Sequence, residues 1–336
     1  MPHKAIPQPI LEEICRAFKS ENPEYFAGGY EWSDGTLFLL DIYGKKHVLK
    51  LMEASSDYSL EIIKERMAFA RYLAEHGIQT TKPLYSSREN LVESASDNET
   101  QYLAVCWEYI PGTGIGDSAP KELKSYYLAW GTLLGKMHRL ARHYPHWRNS
   151  AVKDKNEKPL ICLDTEWQLF YDWLQDEEVR NAWQNLKSDL DTFPVNRNNF
   201  GFIHNDAHTG NILRNEKGLV LLDFDVANYL WFGLDLAICL NSEYARIMHH
   251  SSHKAHAENL QKLFIEPFMQ GYTKENTLAE EELKRIGKFI HYRQFLMFAV
   301  FYNQIKNNAP LHLEVMKREI IAGSNYTRKQ VEAYFG

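Results

Sequence analysis

Apolar residues recur at helical spacing from Ile10 to about Lys19, and a turn-rich stretch from Gly28 to Gly35 follows. Beyond it, 36–42 and 47–52 read as two strands joined through Tyr43-Gly44-Lys45-Lys46, a hairpin signal. Leu60, Ile63, Met67, Ala70 and Ala74 return to helical spacing, with Ser55, Ser56 and Asp57 as candidate N-caps and Gly77 where a C-terminal cap belongs. Two more strands are expected over 81–86 and 102–108, and the polar stretch 94–100 reads as a hairpin tip. The first third is therefore mixed sheet with one long helix.

Pro111-Gly112-Thr113-Gly114 breaks the pattern and is the candidate hinge, which suggests a division into residues 1–110 and 111–336. Afterwards the chain turns mainly helical. Leu123, Tyr127, Trp130, Leu134, Met137 and Ala141 form one stripe, and further helices are expected over 166–173, 182–190 and much of the chain after Asp235. Two short apolar runs, 200–203 and 219–222, interrupt this part and read as buried strands. The expected class is α+β. No internal repeat or low-complexity segment appears.

Composition narrows the function. With 44% apolar and 24% charged residues, the 336-residue chain is ordinary for a folded protein. A formal net charge of -6 argues against general nucleic-acid binding, which needs a basic face. Cys15, Cys106, Cys162 and Cys239 form no CxxC pair, and three lie in apolar segments, so small buried hydrophobes are expected. No apolar run is long enough to span a bilayer, and no leader-like start is seen. A reduced, cytoplasmic protein is the expectation.

The candidate chemistry lies just beyond the two apolar runs. His204-Asn205-Asp206-Ala207-His208-Thr209-Gly210-Asn211 follows the first, and Asp223-Phe224-Asp225 follows the second. Phosphoryl transfer requires in-line positioning and neutralisation of charge on the phosphate oxygens. One carboxylate can orient an attacking hydroxyl, while an Asn and another carboxylate can hold Mg2+. Taken alone, either loop also reads as helix capping or a turn at a strand end.

Together the two loops resemble those of the kinase-like phosphotransferases: aminoglycoside phosphotransferases, choline and ethanolamine kinases and type II homoserine kinases. Members carry a segment similar to HGDLHPGN, which here stands as HNDAHTGN. The resemblance implies a protein-kinase-like two-lobed fold, with a small antiparallel-sheet N-terminal lobe, a larger helical C-terminal lobe, and ATP in the cleft. It places Asp206 as the catalytic base, Asn211 and Asp223 as Mg2+ ligands, and Asp225 as a second acidic contributor. His47-Val48-Leu49-Lys50-Leu51 is similar to the strand whose lysine meets the α- and β-phosphates. Glu61 and Glu65, one turn apart, are the candidate partners of Lys50, and Glu65 fits the family better. Gly28 and Gly29 open a segment similar to the phosphate-covering loop, although it is not a G-x-G-x-x-G, and no Walker A sequence occurs. By the same resemblance the Glu108 carbonyl and the Ile110 amide would meet the adenine edge.

His138 on its apolar helix reads as a satisfied core residue; Asp235, a carboxylate among apolar residues that must be paired, matches by the resemblance a family Asp that braces the catalytic loop. His204 is a further brace, and His208 either donates to a phosphate or fixes the loop. Asn205 stands where the family has glycine, and Thr209 where it has proline; neither change removes a reactive group. The expected acceptor is a small-molecule hydroxyl: an aminoglycoside, amino alcohol, hydroxy amino acid or sugar. The aromatic set around Trp167 and Tyr229 reads as core before it reads as a cation-binding wall. The rival readings are a Ser/Thr protein kinase of the same fold, a nucleotide-binding regulatory protein without turnover, and a structural helical protein.

Overall fold

The computed structural model describes residues 6–28, 35–114, 122–145, 147–250, 254–324 and 326–336. It divides into two compact units. The first is Met1–Thr113 with Val220–Asp225, and the second is Gly114–Leu219 with Val226–Gly336.

The first unit is built on a five-stranded antiparallel sheet. Its strands are β1 (Glu24–Gly28), β2 (Thr36–Ile42), β3 (Lys45–Glu53), β4 (Glu93–Ser96) and β5 (Gln101–Glu108), in the order β1-β2-β3-β5-β4. Tyr43 and Gly44 alone form the β2–β3 turn, both at positive φ (55° and 77°), so the connection is tighter than the four residues expected. Helix α1 (Gln8–Ala17) lays Ile10, Leu11, Ile14 and Cys15 against Phe38, Leu40, Leu49, Leu51, Ala104 and Cys106. Burying each large aliphatic chain there contributes roughly 1.5–3 kcal/mol. Strand side chains alternate between faces, so Lys50, between Leu49 and Leu51, lies on the face away from α1.

Three expectations for this unit need correction. Residues 81–86 form no strand; Thr80 and Pro83 make isolated bridges only, to Leu221 and Trp107. Pro83 lacks the N–H that a ladder needs. The strand beside β5 is β4, so the hairpin tip shrinks to Asp97–Thr100, where the Asp97 carboxylate accepts from the amides of Glu99 and Thr100. Helix α2 (Leu60–Glu75) is capped by Ser59, whose hydroxyl accepts from the Ile62 amide, and not by Ser55, Ser56 or Asp57.

Segment Val220–Asp225 joins this unit through backbone pairing and packing. The Leu221 amide donates to Gln79, the Thr80 hydroxyl donates to the Leu221 carbonyl at 2.6 Å, and Phe224 meets Phe69 edge-on.

The second unit is mainly helical. Its helices are α3 (Leu123–Ala141), α4 (Leu163–Trp173), α5 (Glu177–Leu190), α6 (Phe232–His250), α7 (Lys254–Tyr272), α8 (Glu280–Lys284), α9 (Ile286–Asn308), α10 (Pro310–Ala322) and α11 (Tyr326–Phe335). Strands β6 (Phe200–Ile203) and β9 (Asn228–Trp231) pair antiparallel; β7 (Ile212–Asn215) and β8 (Gly218–Leu221) form a second ladder. Glycines let α3 and α7 touch backbone to backbone. A Cβ on Gly131 would lie 1.8 Å from the Phe268 carbonyl oxygen, and one on Gly271 would lie 2.0 Å from that of Leu128. No described helix is long and apolar enough to cross a membrane. Cys15, Cys106 and Cys239 are buried, and burial pushes the first two thiols up to about 11 and about 12, which makes them inert packing residues.

Candidate active site

In the first unit the chemistry gathers around Lys50. Its ammonium pairs with the Asp225 carboxylate and lies 3.6 Å from Asp223. Lys50 and Asp225 are nearly buried, with side chains 10% and 7% exposed, while Asp223 is 41% exposed. A lysine out of water needs such partners. The Lys50 stem runs beside Gly35, where a Cβ would come within 3.2 Å of Lys50 Cε and 2.6 Å of the Leu51 carbonyl oxygen. Asp223 adopts φ +61°, a left-handed backbone that a non-glycine residue holds at a cost of about 1 kcal/mol. On α2, Glu65 is half-buried and Glu61 exposed. Gly28 ends β1 opposite Thr36, and Gly29 lies outside the described residues. Glu108 closes β5 opposite His47, the Tyr109 amide donates to Lys46, and Ile110 follows beyond the ladder.

In the second unit the loop after β6 carries Asp206. Buried Asp235, on the first turn of α6, accepts from the His204 amide at 2.9 Å and the Asn205 amide at 2.7 Å. It also meets His138 Nε2 at 3.1 Å, and His138 Nδ1 meets the Tyr272 hydroxyl at 2.9 Å. Asp235 is thus a brace and His138 a satisfied core residue, as expected. Burial holds the His138 imidazole below its ordinary value, against the pull of Asp235. The His204 ring accepts from the Asp206 amide at 3.2 Å.

Asn205 takes φ +66°. Its side-chain amide donates to Glu166 on α4 and, at 3.1 Å, to the Val226 carbonyl. Glu166 also accepts from Asn228 at 3.1 Å and from the Tyr292 hydroxyl at 3.0 Å. The departure from glycine therefore keeps the turn and adds an anchor.

The Asp206 carboxylate is surrounded by donors. Arg293 on α9 pairs with Oδ1, His208 Nε2 lies 3.4 Å from Oδ2, and the Asn211 amide lies 3.3 Å from Oδ2. His208 Nδ1 accepts from the Gly210 amide at 2.9 Å, so Nε2 carries the proton that faces Asp206. Burial alone would raise the Asp206 pKa. The hydrogen bond from His208 and the charge of Arg293 outweigh it and hold the carboxyl well below its usual range. The Asn211 side-chain nitrogen also donates to the Asp206 carbonyl at 3.0 Å. Asp206 is thus an ionised hydrogen-bond acceptor that can orient a hydroxyl.

The sequence reading missed Arg293 and the Glu166 anchor. Neither stands near the loop in the chain, and Arg293 marks only the polar edge of an apolar helix. Of the suggested aromatic wall, Trp167, Tyr229, Trp231 and Phe232 are core, and Trp173 is exposed. Asp164 pairs with Lys187 at 2.6 Å, and Asp172 accepts from Gln168 at 2.8 Å.

Residues 31–274 match the model of the phosphotransferase enzyme family. This chain belongs to that family. The phosphotransferase, a kinase with an alcohol group as acceptor, is 28% identical over 285 residues to an amicoumacin kinase of Bacillus subtilis, covering 82% of this chain and 79% of the relative. It is 26% identical over 183 residues to a homoserine kinase of Nitrobacter hamburgensis, covering 51% and 49%. Among solved structures, an amicoumacin kinase in complex with AMP-PNP, Ca2+ and Ami superposes with a TM-score of 0.81 at 22% identity, over 96% of this chain and 95% of that one. A microcompartment-associated aminopropanol kinase superposes at 0.64 and 14% identity, over 96% of each chain. At these identities the structures show the fold: the phosphotransferase has the expected kinase-like α+β architecture, with a sheet-based N-terminal part and a helical C-terminal part.

Proposed function

We propose that this phosphotransferase moves the γ-phosphoryl group of ATP, with Mg2+, to a hydroxyl of a small molecule. The observation that carries the reading is Asp206, a carboxylate kept ionised and ringed by donors on a braced loop. In the proposal Asp206 accepts a hydrogen bond from the acceptor hydroxyl and takes its proton late, acting more by orientation than by basicity.

Lys50, supported by Glu65 in the family pattern, takes the α- and β-phosphates; its present partners are anions, which a phosphate can replace. Gly28, Gly29, Glu108 and Ile110 are assigned to the nucleotide as backbone contacts. Residues 1–110 are the proposed nucleotide-binding lobe, and 111–336 the catalytic and substrate lobe. Asn211, Asp223 and Asp225 are the proposed metal residues, and their amide and carboxylate oxygens are the hard donors that Mg2+ prefers. Among the described residues no three His, Cys, Asp or Glu side chains gather as a metal cluster. A cation held also by phosphate and water does not require one. When bound, Mg2+ neutralises charge on the phosphate oxygens. A cytoplasmic location, where ATP is at hand, is part of the same proposal.

The amicoumacin kinase relatives support amicoumacin as the first acceptor to try, within a class that includes aminoglycosides, amino alcohols, hydroxy amino acids and sugars. The test is ATP consumption over such a panel, with a generic protein substrate included and phosphorylated product read by mass. Asp206→Ala is expected to slow transfer by about a hundred- to ten-thousandfold, with ATP binding retained in calorimetry. Normal turnover in that variant removes the assignment. Bound ATP with no γ-phosphate loss to any acceptor indicates a nucleotide-binding regulator instead.

A further inference from the structure

We infer that Arg293 is a positioning residue for the transfer: from α9 it grips one oxygen of Asp206 so that the other faces the acceptor hydroxyl. The inference rests on the reading of Asp206 given above.

An ionised carboxylate offers about four lone-pair sites over two oxygens. Arg293 engages Oδ1, and its side chain is only 13% exposed. On Oδ2 the neighbours are distant, the Asn211 amide at 3.3 Å and His208 Nε2 at 3.4 Å. A hydroxyl donor normally sits nearer, at about 2.7–2.8 Å. Oδ2 is therefore the loosely held oxygen and Oδ1 the anchored one.

Stability does not explain the pair. Arginine and carboxylate both lose water here, and an ion pair in that position gains little over an apolar replacement. What it supplies is direction, because a charged N–H held on one oxygen limits how the carboxylate can turn. The neighbouring residue on α9 acts on the neighbouring residue of the loop. Tyr292 holds Glu166, and Glu166 holds the Asn205 side chain. Two consecutive helix positions thus hold two consecutive loop positions.

The experiment compares Arg293→Ala, Arg293→Gln and Arg293→Lys with the parent and with Asp206→Ala. The reaction is followed with the acceptor that the panel returns, and with water as acceptor by phosphate release from Mg-ATP. For Arg293→Ala we expect kcat to fall by roughly a hundredfold, the cost of a misplaced catalytic group, while the KM values for ATP and acceptor stay within a few-fold. Arg293→Lys should recover part of the loss, because it restores the charge on a more flexible side chain. Millimolar guanidinium should recover part of it in Arg293→Ala. Thermal unfolding shows which variants are folded, and Arg293→Gln, closest in polarity, decides the matter if the alanine variant is not. An unchanged kcat in the folded variants overturns the inference, as does a loss confined to the acceptor KM. If Asp206→Ala itself turns over normally, the functional reading has failed; if it is inactive while the Arg293 variants are normal, only the inference has.

Discussion

The two clusters hold their carboxylates in opposite ways. Around Lys50, charge meets charge directly: an ammonium on a sheet strand faces two aspartates on a six-residue segment recruited from far along the chain. Around Asp206, much of the holding is done by neutral donors and backbone amides, with Asp235 as the buried hub. The first arrangement suits exchange, since an anionic ligand can take over contacts the aspartates now make. The second suits pre-organisation, since a loop fixed before the ligand arrives needs no reordering during the reaction. One cluster is prepared to change partners and the other to keep still.

That contrast can be broken experimentally. Asp235→Ala should have the largest effect on stability, because it leaves two buried backbone amides and His138 without their acceptor. We expect a loss of about 3 kcal/mol or more, read by denaturant unfolding. A loss under about 1 kcal/mol would mean that the loop is held elsewhere. Lys50→Met keeps the length and removes the charge. ATP affinity should fall roughly ten- to a hundredfold, the worth of a charged hydrogen bond, while an acceptor that binds without nucleotide is unaffected. Unchanged ATP affinity in calorimetry would remove Lys50 from the nucleotide site.

The smallest effect expected is on pH dependence. His138 has its folded pKa held below the ordinary imidazole value by burial, so the folded protein binds its proton less readily than the unfolded chain does. Its contribution is fully present above about pH 6.5. It is lost as the pH falls from there towards the folded pKa. His138→Gln should flatten that acid limb in unfolding measurements, and an identical limb in the variant would assign it to another group.

Much of this was legible in the chain. Apolar runs beside turn signals named β2, β3, β5, β6 and β8, and helical stripes named α2 and α3, because those patterns are set within windows of ten or so residues. The two loops announced themselves because reactive groups at fixed spacing follow apolar strands. His138 was read as structural from its apolar surroundings, and Asp235 from those and from the family resemblance. Where the reading failed, a local signal was ambiguous: several serines competed to cap α2, and a proline hid the missing ladder at 81–86.

By itself, then, the sequence determined the family, most of the longer elements and where the candidate reactive side chains stand, since each is written in contiguous residues. Only the tertiary structure decided that Asp223 and Asp225 pair with Lys50, that Glu166 holds Asn205, and that Arg293 grips Asp206. Those partners are 39 to about 175 residues apart in the chain. Which of them meet depends on how buried faces pack, and no periodicity in either segment records the residue it will face.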